Sequence, residues 1–100
     1  MEREVKPIFE WDPRKDSANL EKHGITFSEA TAVFGDPLAR IFADEDHSAD
    51  EPREIIVGHS REKRLLLVCF TEREDGRVRV VSARRAARRE RHDDEDYVTP

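Results

Sequence analysis

The sequence predicts a small α+β protein, built from an antiparallel β-sheet, an N-terminal helical hairpin and a C-terminal helix. Two helix signals in the first half of the chain are each followed by a glycine, which is typical of helix ends. Apolar runs separated by turn residues follow in the second half, as expected for a meander of strands. A chain of 100 residues has the size of one domain, so we expect a single domain over residues 1–100, with 1–6 and 93–100 flexible.

The first half predicts one short strand and two helices. Ile8–Trp11 is the strand, and Asp12-Pro13 supplies a helix N-cap followed by proline at the first helical position. This helix runs to His23. Ser28 is predicted to cap a second helix, which ends at Gly35. The short link between the two helices predicts that they form a hairpin.

Four further strands are predicted in the rest of the chain. They are Leu38–Ala43, Glu54–His59, Leu65–Arg73 and Arg77–Ala83. An acidic loop, Asp44–Pro52, separates the first two. Asp75-Gly76 predicts a two-residue hairpin turn, which places Glu72 opposite Arg79 and Cys69 opposite Ser82. From Arg84 onward the arginine- and alanine-rich sequence favours a helix.

The predicted turn also assigns side chains to the two faces of the last hairpin. Val68 and Phe70 share one face with Arg79, whereas Val78 and Val80 lie on the other. The runs Ile55–Val57 and Leu65–Phe70 are expected to supply the core. Cys69, the single cysteine, is interpreted as a small core residue, with a reactive thiol as the alternative.

Charge is distributed unevenly along the chain. The net charge is -5, yet residues 1–52 carry 6 basic and 13 acidic side chains while residues 53–91 carry 12 basic and 6 acidic ones. Arginine outnumbers lysine fourteen to four, which suits bidentate contacts with phosphate or carboxylate. No apolar run is long enough for a membrane span, so we expect a cytoplasmic protein that does not enter membranes.

The arginine-rich C-terminal segment is the first candidate site. Its basic residues are Arg84, Arg85, Arg88, Arg89 and Arg91. Arg84, Arg88 and Arg91 follow helical spacing, and a basic first turn at the edge of a sheet could bind phosphate. The alternative is a solvated helix whose arginines pair with Asp93 and Glu95, four positions on.

Lys22-His23, just before Gly24, is the second candidate. A histidine can act as general acid or base near neutral pH, and RNA cleavage by the 2'-hydroxyl needs both roles plus a cation for the developing phosphate charge. The alternative is structural, because cations at a helix C-terminus stabilise its dipole whatever the function.

Metal and cofactor sites find no support in the sequence. Asp44, Asp46, Ser48 and Asp50 alternate as at the start of a calcium loop, but Ala49 replaces the glycine that such a loop needs. No zinc motif, glycine-rich phosphate loop or serine-hydrolase elbow is present. We therefore expect catalysis without a metal and no cofactor.

Several short motifs, taken in order, resemble one family. They are Phe9-Glu10-Trp11-Asp12-Pro13, Asn19 to Phe27, Phe34-Gly35-Asp36-Pro37, Phe70-Thr71-Glu72-Arg73 and Arg79 to Ala86, leading to Arg89-Glu90-Arg91. Each motif is weak alone, but their order and spacing over residues 8–91 are similar to those of the BrnT toxins.

This resemblance implies a RelE-like fold and a ribonuclease that inhibits translation. It also implies a BrnA-like antitoxin that forms a hetero-oligomer with the toxin and binds operator DNA, which the toxin then reaches only through its partner. Carried over by motif, the candidate catalytic residues are Lys22, His23, Arg73, Ser82 and Arg84. The candidate RNA-binding residues are Arg53, Arg79, Arg85, Arg88 and Arg89. The arginines would stabilise phosphate, and either His23 or Lys22 would transfer the proton.

Two other functions fit the sequence. The chain could be a non-catalytic module whose arginine-rich segment binds an acidic protein or a nucleic acid. A DNA-binding regulator is a weaker alternative, because the candidate recognition helix offers arginine and alanine where base reading favours Asn or Gln.

Overall fold

The computed structural model describes residues 7–44 and 52–86, which form one five-stranded sheet with helices packed on one face. The strands are β1 (Phe9–Glu10), β2 (Arg40–Ala43), β3 (Glu54–His59), β4 (Leu65–Glu72) and β5 (Val78–Arg85). The helices are α1 (Pro13–His23) and α2 (Phe27–Thr31), and α2 continues into a 3-10 turn, Ala32–Gly35. No helix in these two ranges is long and apolar enough to cross a bilayer.

The sheet is mixed and not purely antiparallel, so the α+β class is correct but the predicted strand arrangement was wrong at one edge. The strand order is β1-β5-β4-β3-β2, and β1 runs parallel to β5 while the other neighbours are antiparallel. Turn chemistry predicts the direction of strands joined by short loops. It says nothing about β1 and β5, which are far apart in sequence and meet only in the folded sheet.

The ends of α1 confirm the prediction from its capping residues. The Asp12 carboxylate accepts a hydrogen bond of 2.9 Å from the Arg14 N–H, and Pro13 occupies the first helical position. Gly24 ends the helix with φ of 72°, a left-handed conformation that glycine adopts without strain. Its N–H donates to the Leu20 carbonyl at 2.8 Å.

The second helix begins two residues earlier than predicted. Thr26, not Ser28, is the N-cap, because its backbone is extended and its hydroxyl accepts the Glu29 N–H at 3.1 Å. Ile25 and Phe27 are fully buried on either side of Thr26. Burial of these two side chains in the core explains why the helix begins here.

The β4–β5 hairpin closes with three loop residues, where the sequence predicted two. The Arg73 N–H donates to the Arg77 carbonyl at 2.7 Å, the Gly76 N–H donates to Arg73 at 2.9 Å, and Gly76 has φ of 86°. This is a tight turn followed by a left-handed glycine. Glu72 consequently pairs with Val78 and not with Arg79.

A bulge then restores the predicted register nearer the middle of the hairpin. The pairing shifts by one residue between Cys69 and Phe70, so that Cys69 faces Ser82, as predicted. Between the turn and the bulge, the one-residue shift places Val78 and Val80 on the face that holds Phe70, which corrects the predicted faces. One extra residue in a strand reverses the alternation beyond it, and turn residues alone do not reveal it.

The two predicted apolar runs lie in the core, but the helices and β5 supply as much of it. The cluster between sheet and helices consists of Ile25, Phe27, Ala30, Val33, Ile56, Leu66, Val68, Phe70, Val78, Val80 and Ala83. A smaller cluster on the opposite face contains Val57, Leu65, Leu67 and Ala86, with Cys69 half-buried against it. Cys69 therefore packs as a small apolar residue, as predicted.

The predicted start of a C-terminal helix at Arg84 was wrong. Arg84 and Arg85 belong to β5 and pair with Leu67 and Leu66, and the Ala86 N–H still donates to Leu65 at 3.0 Å. Tertiary pairing with β4 overrides the helix propensity of this segment. The predicted loop segment 45–51, the rest of the predicted helix and both predicted flexible ends lie outside the described residues.

Candidate functional site

A buried asparagine joins α1 to the sheet. The Asn19 side chain donates to the Ala83 carbonyl at 2.7 Å and to the Ile25 carbonyl at 2.9 Å, and it accepts the Ala83 N–H at 3.1 Å. Beside Ala83 the edge of β5 extends past the two residues paired with β1. The Asn19 amide therefore takes the place of a neighbouring strand, since it satisfies both backbone groups of Ala83.

This anchor places Lys22 and His23 at one end of the sheet. His23 follows Asn19 by four residues, so the two share a face of α1. The Arg64 guanidinium, which precedes β4, reaches the Gly24 carbonyl at 3.5 Å. The C-terminus of α1 thus lies near the end of β5 that carries Arg85, whose partner Leu66 belongs to the helix-covered core.

The opposite face of the sheet, which no helix of the described residues covers, carries arginines around an apolar centre. Arg84 pairs with Leu67, Leu67 with Val57, and Val57 with Arg40, so these four side chains form one row across the sheet. Ser82, opposite Cys69, lies in the next row of the same face. We call this surface the arginine face.

Two of the predicted RNA-binding residues also lie on the arginine face. Arg79 pairs across the sheet with Thr71, and its guanidinium donates to the Glu10 carboxylate at 2.9 Å. The Arg53 carbonyl accepts the Asp44 N–H at 2.9 Å, which continues the β2–β3 ladder and its alternation of faces. Arg53 is half-buried there.

The predicted site residues therefore separate into three groups. Arg53, Arg79, Ser82 and Arg84 lie together on the arginine face, whereas Lys22, His23 and Arg85 lie near the end of β5 on the helix-covered side. Arg73 lies in the β4–β5 turn, at the far end of the hairpin. Arg88 and Arg89 lie outside the described residues.

Another histidine, at the end of β3, is held by a carboxylate. The His59 N–H donates to Asp36 Oδ2 at 2.7 Å, and Nδ1 of the same histidine lies 3.5 Å from that oxygen. Burial would raise the pKa of Asp36, but backbone N–H groups of His59 and Leu38 and the nearby imidazole hold it below its ordinary value. The His59 side chain stays 53% exposed, so its other nitrogen is accessible.

Gly58 makes this contact possible. A Cβ at position 58 would lie 2.8 Å from the Ala39 Cβ, 3.0 Å from Asp36 Oδ2 and 3.0 Å from the Val33 side chain. Any larger residue would push the segment after the 3-10 turn away from β3. The absence of a side chain at Gly58 thus allows Asp36 to reach the end of β3.

A second carboxylate binds the β3–β4 turn to α2. Glu29 accepts hydrogen bonds from the Ser60 hydroxyl at 2.8 Å and from Arg64 Nε at 2.8 Å, and it also contacts the terminal nitrogen of Arg64. The hydrogen bonds from Arg64 lower the pKa of Glu29, burial acts in the opposite direction, and Ser60 lowers it further. Glu29 is only 8% exposed, so this ion pair fastens the turn to α2.

Between these elements lies an open groove of about 1050 Å³. Phe9 and Phe34, whose ring centroids are 5.0 Å apart, form part of its apolar wall. Its polar lining includes the hydroxyls of Ser28, Thr31 and Ser60 and the charged residues Glu29, Asp36, His59, Arg61 and Glu62. We call it the His59 groove. Among the described residues, no group of three or more His, Cys, Asp or Glu side chains could hold a metal ion.

Sequence reasoning missed Asn19, Arg40 and the Asp36–His59 pair as functional or positioning residues. Asn19 was read only as part of a helix, and Arg40 as part of a strand. The partners of Asn19 and Asp36 lie 64 and 23 residues away along the chain. The nearest signal was the Gly58-His59 pair at a strand end, but it does not identify Asp36 as the partner.

The fold and sheet arrangement define a small α+β protein with helices on one face of a mixed five-stranded sheet. The crystal structure of the Brucella abortus ribonuclease toxin BrnT matches this chain with a TM-score of 0.64 and 24% identity, covering 83% of this chain and 100% of the toxin. This likeness shows a shared fold. No curated protein matches the chain.

The family follows from a separate comparison. The family model "Ribonuclease toxin, BrnT, of type II toxin-antitoxin system" matches residues 11–90. The chain therefore belongs to the BrnT family of ribonuclease toxins, as the motif resemblance predicted. Membership of a type II toxin-antitoxin family also implies an antitoxin partner. The RelE-like character of the fold stays a prediction.

Proposed function

We propose that this protein is a metal-independent endoribonuclease that cleaves RNA in the cytoplasm, inhibits translation and is neutralised by a BrnA-like antitoxin. Family membership supports the ribonuclease class. The single observation that carries the proposal further is the arrangement of the arginine face, where Arg53, Arg79, Ser82 and Arg84 share one surface with Arg40.

The chemistry of that surface suits a polyanion. One guanidinium group can donate two parallel hydrogen bonds to the oxygens of one phosphate, and it stays charged at every physiological pH. Strand pairing holds the backbones of Arg40 and Arg84 in fixed positions across the sheet. Three strand spacings of about 4.8 Å separate them, so the face presents cations about 14 Å apart to different phosphates of one RNA strand.

Proton transfer in this proposal comes from Lys22 or His23. Both residues close α1, which Asn19 anchors beside the last residues of β5. Arg84 and Arg85 alternate to opposite faces at that end of the strand, so they flank the edge between the arginine face and α1. RNA crossing this edge would meet both the phosphate-binding arginines and the candidate acid or base.

The test is cleavage of a labelled RNA by the purified chain, with and without EDTA. We expect cleavage that survives chelation and yields 2',3'-cyclic phosphate ends. Arg84→Ala should lower the rate roughly 10- to 1000-fold with little change in melting temperature, the scale seen when one charge-stabilising donor is removed. Arg84→Lys should restore only part of it, because lysine keeps the charge and loses the bidentate geometry.

Arg14→Ala is the matched control. Arg14 is an exposed arginine in the first turn of α1, where it pairs with Asp12, and α1 packs on the face of the sheet opposite the arginine face, so its loss should leave the rate unchanged. Full activity of both Arg84 variants would show that the arginine face is not the site. Activity abolished by EDTA and restored by magnesium would contradict the metal-independent mechanism, and intact RNA with folded wild-type protein would favour a non-catalytic binding module.

A further inference from the structure

Two histidines, His23 and His59, are candidate bases. The ring of His59 lies beside a carboxylate in the His59 groove. A carboxylate beside Nδ1 favours the tautomer whose proton sits on that nitrogen, which leaves a lone pair on Nε2. The Asp36 carboxylate is itself fixed by the N–H groups of His59 and of Leu38, at 2.7 and 3.0 Å. A general base needs this kind of support from a third group.

The rest of the groove offers what a nucleotide segment requires. Phe9 and Phe34 give an aromatic wall on which a base can stack, and Ser28 and Thr31 also belong to the lining. Arg61 supplies a guanidinium at the rim. A volume of about 1050 Å³ is sufficient for a short single-stranded segment.

The acidic residues of the groove are largely neutralised within the protein. Glu29 is paired with Arg64 and Ser60, and Asp36 accepts the two backbone N–H groups and faces His59. The remaining charged groups that face the groove are Arg61 and Glu62 on the β3–β4 turn. These oppose each other, so with neutral His59 the one carboxylate charge left in the groove is that of Asp36, which two backbone N–H groups stabilise.

We propose that the His59 groove binds a segment of single-stranded RNA and that His59, oriented by Asp36, is the general base of its cleavage in place of Lys22 or His23; this inference rests on the proposed ribonuclease function. Neutral His59 accepts the 2'-hydroxyl proton at Nε2 as the 2'-oxygen bonds to phosphorus. The bond from phosphorus to the 5'-oxygen then breaks, and that oxygen takes a proton from solvent. The products are a 2',3'-cyclic phosphate and a free 5'-hydroxyl.

The first experiment compares variants of the full chain on an unstructured transcript containing all four bases. His59→Gln should lower the cleavage rate roughly 100- to 10,000-fold, as expected for loss of a general base, without changing the melting temperature. Lys15→Gln, which removes an exposed cation on α1 outside the groove, should cleave like the wild type. Asp36→Asn should give a smaller loss, because Asp36 is a positioning residue.

Chemical rescue separates proton transfer from a structural role. His59→Ala opens a space in an accessible groove, so added imidazole should restore part of the rate in proportion to its concentration. Absence of rescue, or a His59→Gln variant with the wild-type rate, would overturn the proposal while leaving the ribonuclease function standing.

A binding measurement keeps the two proposals distinguishable. The same RNA with 2'-O-methyl groups cannot be cleaved, and it should shift the NMR signals of the His59 ring in the wild-type protein. If wild-type protein cleaves no RNA but these signals shift, the ribonuclease function and the base role both fail, and only RNA binding in the groove is supported. If the signals shift with a polyarginine peptide and not with RNA, the groove holds a basic protein segment and our proposal is wrong.

Discussion

Replacing Asn19 tests whether one side chain joins α1 to the sheet. In Asn19→Ala the N–H and carbonyl of Ala83 and the carbonyl of Ile25 lose their side-chain partner. Ala83 is 1% exposed and Ile25 is fully buried, so water reaches these groups only through the space that the missing amide leaves. We expect the free energy of unfolding to fall by about 2 to 4 kcal/mol.

The magnitude follows from the three lost hydrogen bonds. Each contributes about 1 kcal/mol net, and each buried group left without a partner costs about 1 to 3 kcal/mol. Asn19 itself is 7% exposed, so water can partly reach the three backbone groups once the amide is gone. We therefore expect a total loss near the lower end of the summed costs for these groups. In Asn19→Asp the carboxylate would face two carbonyl oxygens, which raises its pKa in the folded state. The resulting destabilisation should therefore shrink as the pH falls and the carboxyl becomes protonated.

Urea unfolding monitored by Trp11 fluorescence measures the loss, and hydrogen exchange at the Ala83 amide reports on the anchor itself. Ser17→Ala on the exposed side of α1 is the control, since a serine-to-alanine change in a helix interior is neutral or slightly stabilising. If the free energy of unfolding of Asn19→Ala lies within about 0.5 kcal/mol of the wild-type value, Asn19 does not hold α1 to the sheet and our account of the site is wrong.

Three further perturbations follow from the same structure. Gly58→Ala should lower the free energy of unfolding by about 1 to 3 kcal/mol, because the added Cβ would lie 2.8 Å from the Ala39 Cβ. A melting temperature equal to that of the wild type would contradict this. Leu66→Ala, at a fully buried position, should cost about 2 to 5 kcal/mol in urea unfolding, and a smaller loss would mean that the core collapses around the cavity. Glu29 and Asp36 have folded pKa values below the ordinary 4.5 and 3.8, so the stability they contribute is present above those values and is lost as the pH falls through the lowered ones. The melting temperature, measured from neutral to acid pH, should show this loss, and it should depend less steeply on pH in Glu29→Gln. An equally steep dependence in the variant would exclude Glu29 as a source of the pH-dependent stability.

Local chemistry was sufficient to predict most of the elements. The N-cap of α1, its proline and its final glycine act within a few residues of one another, and all three were confirmed. The strand Glu54–His59 was also predicted with the bounds that the structure has. These features depend on hydrogen bonds and φ angles inside a short segment, so no distant partner is needed to predict them.

The faces of the β4–β5 hairpin were harder to predict. A three-residue turn at Gly76 and a bulge beside Cys69 each change the register by one residue. A shift of one residue reverses the face of every side chain beyond it, so Val78 and Val80 entered the core while Arg79 left it. Arg84 and Arg85 likewise favour a helix locally but extend β5, because β4 offers them strand pairing.

By itself the sequence determined the α+β class, the family and the residue types available for binding RNA. The BrnT motifs are local and appear in order, so they could be recognised without coordinates. Only the tertiary structure decided which of those residues share a surface. Asn19 lies 64 residues from Ala83, and Asp36 lies 23 residues from His59. Such contacts depend on the register of the strands and on the close approach of Asp36 to Gly58. No short segment of the chain contains both partners of such a contact.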